Sequence, residues 1–154
     1  MSGPSIPSVS GDYILLLSLP EPRVLTIGRL GAFDFPAGVY AYVGSARGPG
    51  GLAARLRHHL TLSARPHWHV DYLRRECAVE AVWWHAGDTR LEHRWAAVLG
   101  GFPGALCIAP RFGASDCTCP SHLFWLPPAF DTEVLAQSLG VQDPLTRSQV
   151  SIPR

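Results

Sequence analysis

The chain of 154 residues contains no lysine, and its 13 strongly basic side chains are all arginine. This absence excludes a phosphate-binding loop that depends on lysine, and it excludes Schiff-base chemistry. Any contact with a phosphate group must therefore come from arginine, histidine or backbone amides.

Charge is also scarce, since only 16% of the residues are charged and the net charge is +1. Such a chain has no global field that would indicate a polyanionic partner. The hydrophobic fraction of 47% is enough for the core of one domain.

Long apolar runs are missing as well, and none approaches the ~20 residues that a membrane-spanning helix needs. Residues 1–10 lack the positive start and apolar centre of a signal peptide, so we expect a flexible leader and a cytoplasmic protein. In that compartment the four cysteines should be reduced thiols or metal ligands.

Hydrophobic periodicity and turn residues predict an α+β fold, with a small central antiparallel sheet flanked by helices. A single domain is expected over 11–140, followed by a loose tail over 141–154. The predicted strands are 12–19, 23–30, 39–44, 78–86 and 122–126. The predicted helices are 52–60, 67–75, 89–99 and a last one between Asp131 and Gly140.

Basic residues concentrate between 47 and 75, where six arginines and four histidines accompany one acid, Asp71. Such a cluster favours the binding of an anionic partner, and nucleic acid is the common cellular polyanion. The alternative is a solvated face whose charge is balanced elsewhere in the fold. Within the cluster, Arg55 and His59 lie one helical turn apart and could serve phosphate binding and proton transfer.

The segment from Tyr42-Val43-Gly44 through Arg55 to His59 resembles the GIY-YIG nuclease superfamily. The superfamily carries a first triplet on a neighbouring strand. Gly38-Val39-Tyr40 cannot supply it, because it shares a strand with Tyr42. Gly11-Asp12-Tyr13 is the better candidate, although its middle residue departs from the apolar one of the superfamily.

Three stretches make the resemblance closer: the segment 28–60, "HWHVDYLR" and "FGASDCTCPSHLFW". They are similar to a GIY-YIG-like subfamily of archaea and bacteria that is sometimes fused to a base-excision DNA glycosylase. The resemblance implies a GIY-YIG-like fold, a divalent Mg²⁺ or Mn²⁺ cofactor, nucleic acid as substrate with DNA favoured over RNA, and a functional link to such a glycosylase. No membrane partner is expected, because long apolar runs are missing.

The resemblance also implies site residues. The catalytic set would be Tyr13, Tyr42, Arg55, His59 and Glu92. The basic cluster, rather than the resemblance, predicts that nucleic acid is contacted by Arg47, Arg57, His58, Arg65, His67 and His69. An asparagine that the superfamily carries later in the chain has no match.

Glu92 has two interpretations. It fits the lone glutamate that holds the divalent metal in the superfamily, on a helix after the third core strand. However, Thr89-x-x-Glu92 also has the pattern of a capping box, in which the glutamate only ties back to the start of the helix. We favour the metal ligand.

A second group of chemical residues lies at Cys117, Cys119 and His122. These could bind zinc, with His67 or His69 as the fourth ligand. Alternatively, the two cysteines are small buried residues, or His67, His69, Asp116 and His122 line the active cleft. Cys77 and Cys107 are expected in the core.

Three functions follow as hypotheses. The first is a metal-dependent endonuclease that hydrolyses phosphodiester bonds. The second is a nucleic-acid-binding module without catalysis, motivated by Asp12 and the missing asparagine. The third is a zinc-stabilised interaction domain.

Overall fold

The first strand, β1 (Gly11–Leu19), lies in the middle of the main sheet, and both of its faces are covered. This burial explains why its sequence is almost wholly apolar. The structure is a computed structural model, and it describes residues 5–62, 65–115 and 117–141, with the backbone of 145–146. None of the helices within these ranges is long and apolar enough to cross a membrane.

The strands after β1 are β2 (Arg23–Ile27), β3 (Gly31–Phe35), β4 (Gly38–Ala46), β5 (Ala78–Ala86), β6 (Leu123–Leu126) and β7 (Leu145–Thr146). The main sheet has the order β6-β4-β1-β5-β7, and all of its strand pairs are antiparallel. The short strands β2 and β3 form a separate hairpin. The helices are α1 (Gly51–Leu60), α2 (His69–Arg74), α3 (Glu92–Gly100) and α4 (Thr132–Leu139). The predicted α+β class, with helices around an antiparallel sheet, is confirmed.

Helices pack on both faces of the sheet, which gives two hydrophobic clusters. Tyr13, Leu15 and Leu17 of β1 pack with α1 and α2 on one face. Ile14 and Leu16 pack with α3 and α4 on the other. The alternation of side chains along an extended strand produces this division.

The register between β1 and β4 pairs Tyr13 with Gly44, Leu15 with Tyr42 and Leu17 with Tyr40. Gly11-Asp12-Tyr13 and Tyr42-Val43-Gly44 therefore lie on adjacent strands, as predicted. Tyr40 is buried, and its hydroxyl donates a hydrogen bond of 2.6 Å to the carbonyl of Pro36.

Several boundaries differ from the predictions. The strand expected over 23–30 ends at Ile27, and β3 was not predicted, because its alternation is short and includes the exposed Asp34. Residues 5–10 pack on the domain in contrast to the expected leader: Ile6 is buried, and the carbonyls of Pro7 and Val9 accept hydrogen bonds from α1 amides. Residues 145–146 of the expected loose tail pair with β5.

Candidate active site

A cavity of about 480 Å³ opens where β1, β4, α1 and α3 meet. Its wall carries three arginines and two carboxylates, so it has positive charge beside acidic groups. The lining residues are Asp12, Tyr42, Ser45, Arg47, Gly48, Arg55, Trp68, Arg90, Glu92, His93, Gly113, Cys117 and His122. Three of the five predicted catalytic residues, Tyr42, Arg55 and Glu92, are among them.

The other two, Tyr13 and His59, form a buried pair that contacts Tyr42. The hydroxyl of Tyr13 lies 2.6 Å from Nε2 of His59, and the rings of Tyr13 and Tyr42 have centroids 6.3 Å apart. Neither Tyr13 nor His59 is among the described residues that line the cavity. Both side chains are buried, so they meet Tyr42 from within the core.

Burial favours the neutral form of both partners in this pair. It raises the pKa of Tyr13, although the charge of Arg55 opposes the shift. It lowers the pKa of His59, although the Asp71 carboxylate raises it. A neutral phenol can then donate its proton to Nε2, which is the acceptor when the ring proton is on Nδ1.

Asp71, which carried no predicted role, lies beside the other ring nitrogen of His59. Its carboxylate lies 3.8 Å from Nδ1 of His59, an ion-pair distance that is too long for a hydrogen bond. It also accepts hydrogen bonds from His58 and from the amides of His67 and Trp68. Burial alone would raise the pKa of Asp71, but the nearby His59 and these hydrogen bonds outweigh burial and lower it. The result is a Tyr13–His59–Asp71 array across β1, α1 and α2.

Gly44 is required by this array, because the ring of Tyr13 lies directly over it. A Cβ at position 44 would be 2.3 Å from the Tyr13 hydroxyl oxygen and 2.3 Å from Cζ. Gly11 is similarly confined, with a Cβ position 2.4 Å from the carbonyl oxygen of His85. Glycine is thus required in both triplets because there is no space for a side chain.

We expect Gly44→Ala to destabilise the protein by about 1–3 kcal/mol, because the methyl group displaces the Tyr13 ring in a packed core. Gly48→Ala is the matched control, since a Cβ there meets nothing within 4 Å. Urea unfolding of the two variants checks the difference. Equal stability of both would contradict the packing described for Tyr13.

Arg55 is held at the cavity by two contacts. Its Nη1 donates a hydrogen bond of 2.9 Å to the carbonyl of Ser45, and its guanidinium carbon lies 4.2 Å from the ring centroid of Trp68. These contacts fix the plane of the guanidinium and leave further N–H donors for an anion in the cavity.

Glu92 is the first residue of α3, and the capping-box alternative is wrong. The helix has Leu91 rather than Thr89 at its N-cap, without a side-chain cap of its own. Asp12 contacts the N-cap residue from across the fold, since its Oδ2 accepts a 2.8 Å hydrogen bond from the amide of Leu91. The same oxygen forms an ion pair with the guanidinium of Arg47, whose Nη2 lies 2.8 Å away.

The two carboxylates of the cavity fit a hard divalent cation. Burial raises the pKa of Glu92, and the charge of Asp12 raises it further, while His93 and Arg55 lower it. The side chain of Asp12 is 1% exposed, and its Oδ1 has no hydrogen-bond partner within the described ranges. Carboxylate oxygens are ligands that Mg²⁺ and Mn²⁺ prefer. Sequence reasoning had treated Asp12 only as a departure from the superfamily.

The residues predicted to contact nucleic acid fall into two groups. Arg57, Arg65 and His67 are exposed. Arg47, His58 and His69 are engaged within the protein: Arg47 with Asp12, His58 with Asp71, and His69 as acceptor from the amide of Gly113.

The predicted zinc ligands come together in a different combination. Cys117, Cys119 and His122 lie with His93 rather than with His67 or His69. Burial lowers the pKa of His122 to about 4, and burial raises the pKa of Cys119 to about 11 with a further increase from Cys117. All four cysteines are free thiols; Cys77 is buried as expected, but Cys107 is exposed, contrary to the prediction. Asp116 lies outside the described residues.

Comparison with known proteins gives a family but no described relative. No curated protein and no solved structure matches the chain. One family model matches residues 12–141, a range that contains Asp12 and Tyr13 of the first triplet, the whole second triplet, the Tyr13–His59–Asp71 array, Glu92 and the cysteine-histidine group. The chain therefore belongs to the family described as domain of unknown function DUF123.

Proposed function

We propose that this domain is a GIY-YIG-type endonuclease, which hydrolyses phosphodiester bonds of nucleic acid, with DNA favoured over RNA. The observation that supports it best is that Tyr42, Arg55 and Glu92, from three separate elements, line one cavity. That cavity offers a guanidinium for the phosphate and carboxylates for a cation, which are the groups that phosphoryl transfer needs.

Glu92 would hold the divalent cation, with Asp12 as the second carboxylate. When bound, Mg²⁺ or Mn²⁺ supplies charge that polarises the phosphate and stabilises the leaving oxygen. Asp12 also accepts the hydrogen bond from the amide of Leu91, the N-cap residue of α3, and so positions Glu92, the next residue. It thereby serves both the cation and the helix that presents the glutamate.

Arg55 binds the phosphoryl oxygens and neutralises the charge that develops on them. Its contacts with Ser45 and Trp68 hold it in one orientation before substrate arrives. Tyr42 orients the phosphate or the attacking water from the wall of the cavity.

Tyr13 and His59 would move the proton of the attacking water. A buried phenol with a raised pKa is a poor base by itself. Its hydrogen bond to Nε2 of His59 allows the phenol proton to pass to the ring as the phenol accepts another. Asp71 holds the ring in the required tautomer and stabilises its charged form.

Binding without cleavage is the second candidate, and a specific observation favours it. Tyr13 does not line the cavity, and the chain contains no asparagine to match the one in the superfamily. In this function the exposed Arg57, Arg65 and His67 would contact the backbone of the nucleic acid. Affinity would then fall with rising salt.

A cleavage assay separates the two candidates. The purified chain is incubated with single-stranded, duplex and branched DNA and with matched RNA, with Mn²⁺, with Mg²⁺ or with chelator. The nuclease proposal expects metal-dependent nicking of at least one DNA substrate. Salt-sensitive binding to the same substrates without nicking under any condition would contradict it.

A further inference from the structure

We infer that His93, Cys117, Cys119 and His122 form a structural zinc site that clamps the loop before β6 to the start of α3. This inference does not depend on the nuclease proposal, since it concerns the fold and can be tested without an activity. It assigns the fourth ligand to a residue that sequence spacing did not suggest.

The geometry of the four ligand atoms carries the inference. They all lie within 4.8 Å of one another, and Nε2 of His122 is 3.3 Å from Sγ of Cys117. In a tetrahedral site with bonds of about 2.0 Å to nitrogen and 2.3 Å to sulfur, neighbouring ligands are about 3.5 Å apart. The described side chains therefore need only small rotations to surround one ion.

The chemistry of the set selects the metal. Two thiolates and two imidazoles are a soft set, which favours Zn²⁺ over Mg²⁺ or Ca²⁺. Binding would release the two thiol protons to solvent and bind the ion through two thiolates and two neutral rings. The net charge of the centre is then zero, which suits a partly buried position.

The loop that carries the thiols is already fixed. The guanidinium of Arg111 donates hydrogen bonds to the carbonyls of Ala114, Cys117 and Cys119. Arg111 has a φ of 68°, the one positive φ among the described non-glycine residues. This backbone conformation is strained for a residue with a bulky side chain, and it persists only where surrounding contacts stabilise it. Those contacts present both thiols on the side that faces His93.

Nδ1 of His122, the ring nitrogen that does not face Cys117, gives an independent indication of a metal site. Its side chain is 2% exposed, and Nδ1 has no hydrogen-bond partner in the described part of the chain. The closest acid is Glu92, whose Oε2 lies 3.8 Å away. A histidine that binds zinc through one nitrogen commonly directs the other toward a carboxylate. The zinc site would thus fix His93. Because Glu92 directly precedes His93, the position of Glu92 would be fixed as well.

Metal analysis tests the inference on the whole chain purified without chelator. We expect inductively coupled plasma mass spectrometry to find about one zinc per chain in the wild type. Cys119→Ser and His93→Ala should lose most of it, while Cys107→Ser and His67→Ala, which change an exposed cysteine and an exposed histidine, should keep it. Glu92→Gln keeps a side-chain oxygen that can accept from Nδ1 of His122, so it should also keep the zinc, and a failure of the nuclease proposal leaves this result unaffected.

Reconstitution with Co²⁺ gives a readout that does not depend on the folding of the cysteine variants. The wild-type chain should show the visible absorption of tetrahedral Co²⁺ with thiolate ligands, and excess Zn²⁺ should abolish it. His93 is exposed, so His93→Ala should fold and show a changed spectrum. A wild type that binds neither zinc nor Co²⁺, or a His93→Ala variant identical to the wild type in both measurements, would overturn the inference.

Discussion

Glu92→Gln is expected to abolish metal-dependent nicking while the fold is kept. The amide has nearly the shape of the carboxylate, but it lacks the charge that holds a divalent cation. A bound metal contributes several kcal/mol to the transition state, so we expect a loss of about 100-fold or more in the rate of cleavage. Thermal unfolding should change little, because Glu92 does not cap α3, and the amide of Leu91, the residue before it, is bonded by Asp12.

The matched control is Glu133→Gln, which makes the same change at an exposed position of α4. It should cleave at the wild-type rate. A titration with Mn²⁺ adds a second readout, because a weakened site should need more metal to reach the same rate. Wild-type cleavage by purified Glu92→Gln, at every metal concentration, would exclude Glu92 as the ligand.

Arg55→Ala should produce a loss of similar or larger size. An arginine that stabilises a phosphoryl transition state is worth about 10³-fold or more in rate. The loss should fall mainly on kcat, since the charge on the phosphoryl oxygens is greatest in the transition state. Single-turnover cleavage at saturating protein measures this directly.

Arg55→Lys separates charge from geometry. Lysine keeps the positive charge but lacks the planar fork that binds two oxygens and stacks on Trp68. We expect it to recover only a minor part of the lost rate. Arg29→Ala, at an exposed turn between β2 and β3, is the control for removal of one positive charge. If Arg55→Ala were no slower than Arg29→Ala, Arg55 would have no part in the chemistry.

The stability of Glu92→Gln and of Arg55→Ala needs to be measured, because Glu92 and Arg55 differ in their structural contacts. Arg55 contacts Ser45 and Trp68, so its loss removes packing as well as charge. Urea unfolding should show a modest loss for Arg55→Ala, about 1 kcal/mol. A loss of activity at a temperature well below the unfolding transition then reports on the site rather than on the fold.

The sequence determined much of the framework. The apolar run of β1 and the alternation in β4 gave strands of nearly the observed length, and the leucine spacing from Leu52 to Leu60 gave α1. These are local patterns, in which burial of one or both faces imposes a period on neighbouring residues. The pairing of the two triplets was expected from the resemblance to the GIY-YIG superfamily, and the register of β1 with β4 agrees with it. The contact of Tyr13 with His59 was not predicted and comes from the packing of α1 on the sheet.

Only the tertiary structure decided the partners of Asp12, His93 and Asp71. Asp12 bonds the amide of Leu91, 79 residues away, at the N-cap of α3, and His93 meets thiols on another loop. Strand register and helix packing fix such contacts, and neither leaves a period in the local sequence. The capping pattern Thr89-x-x-Glu92 failed for the same reason: Asp12, brought near by the β1 register, bonds the Leu91 amide, and α3 begins at Glu92.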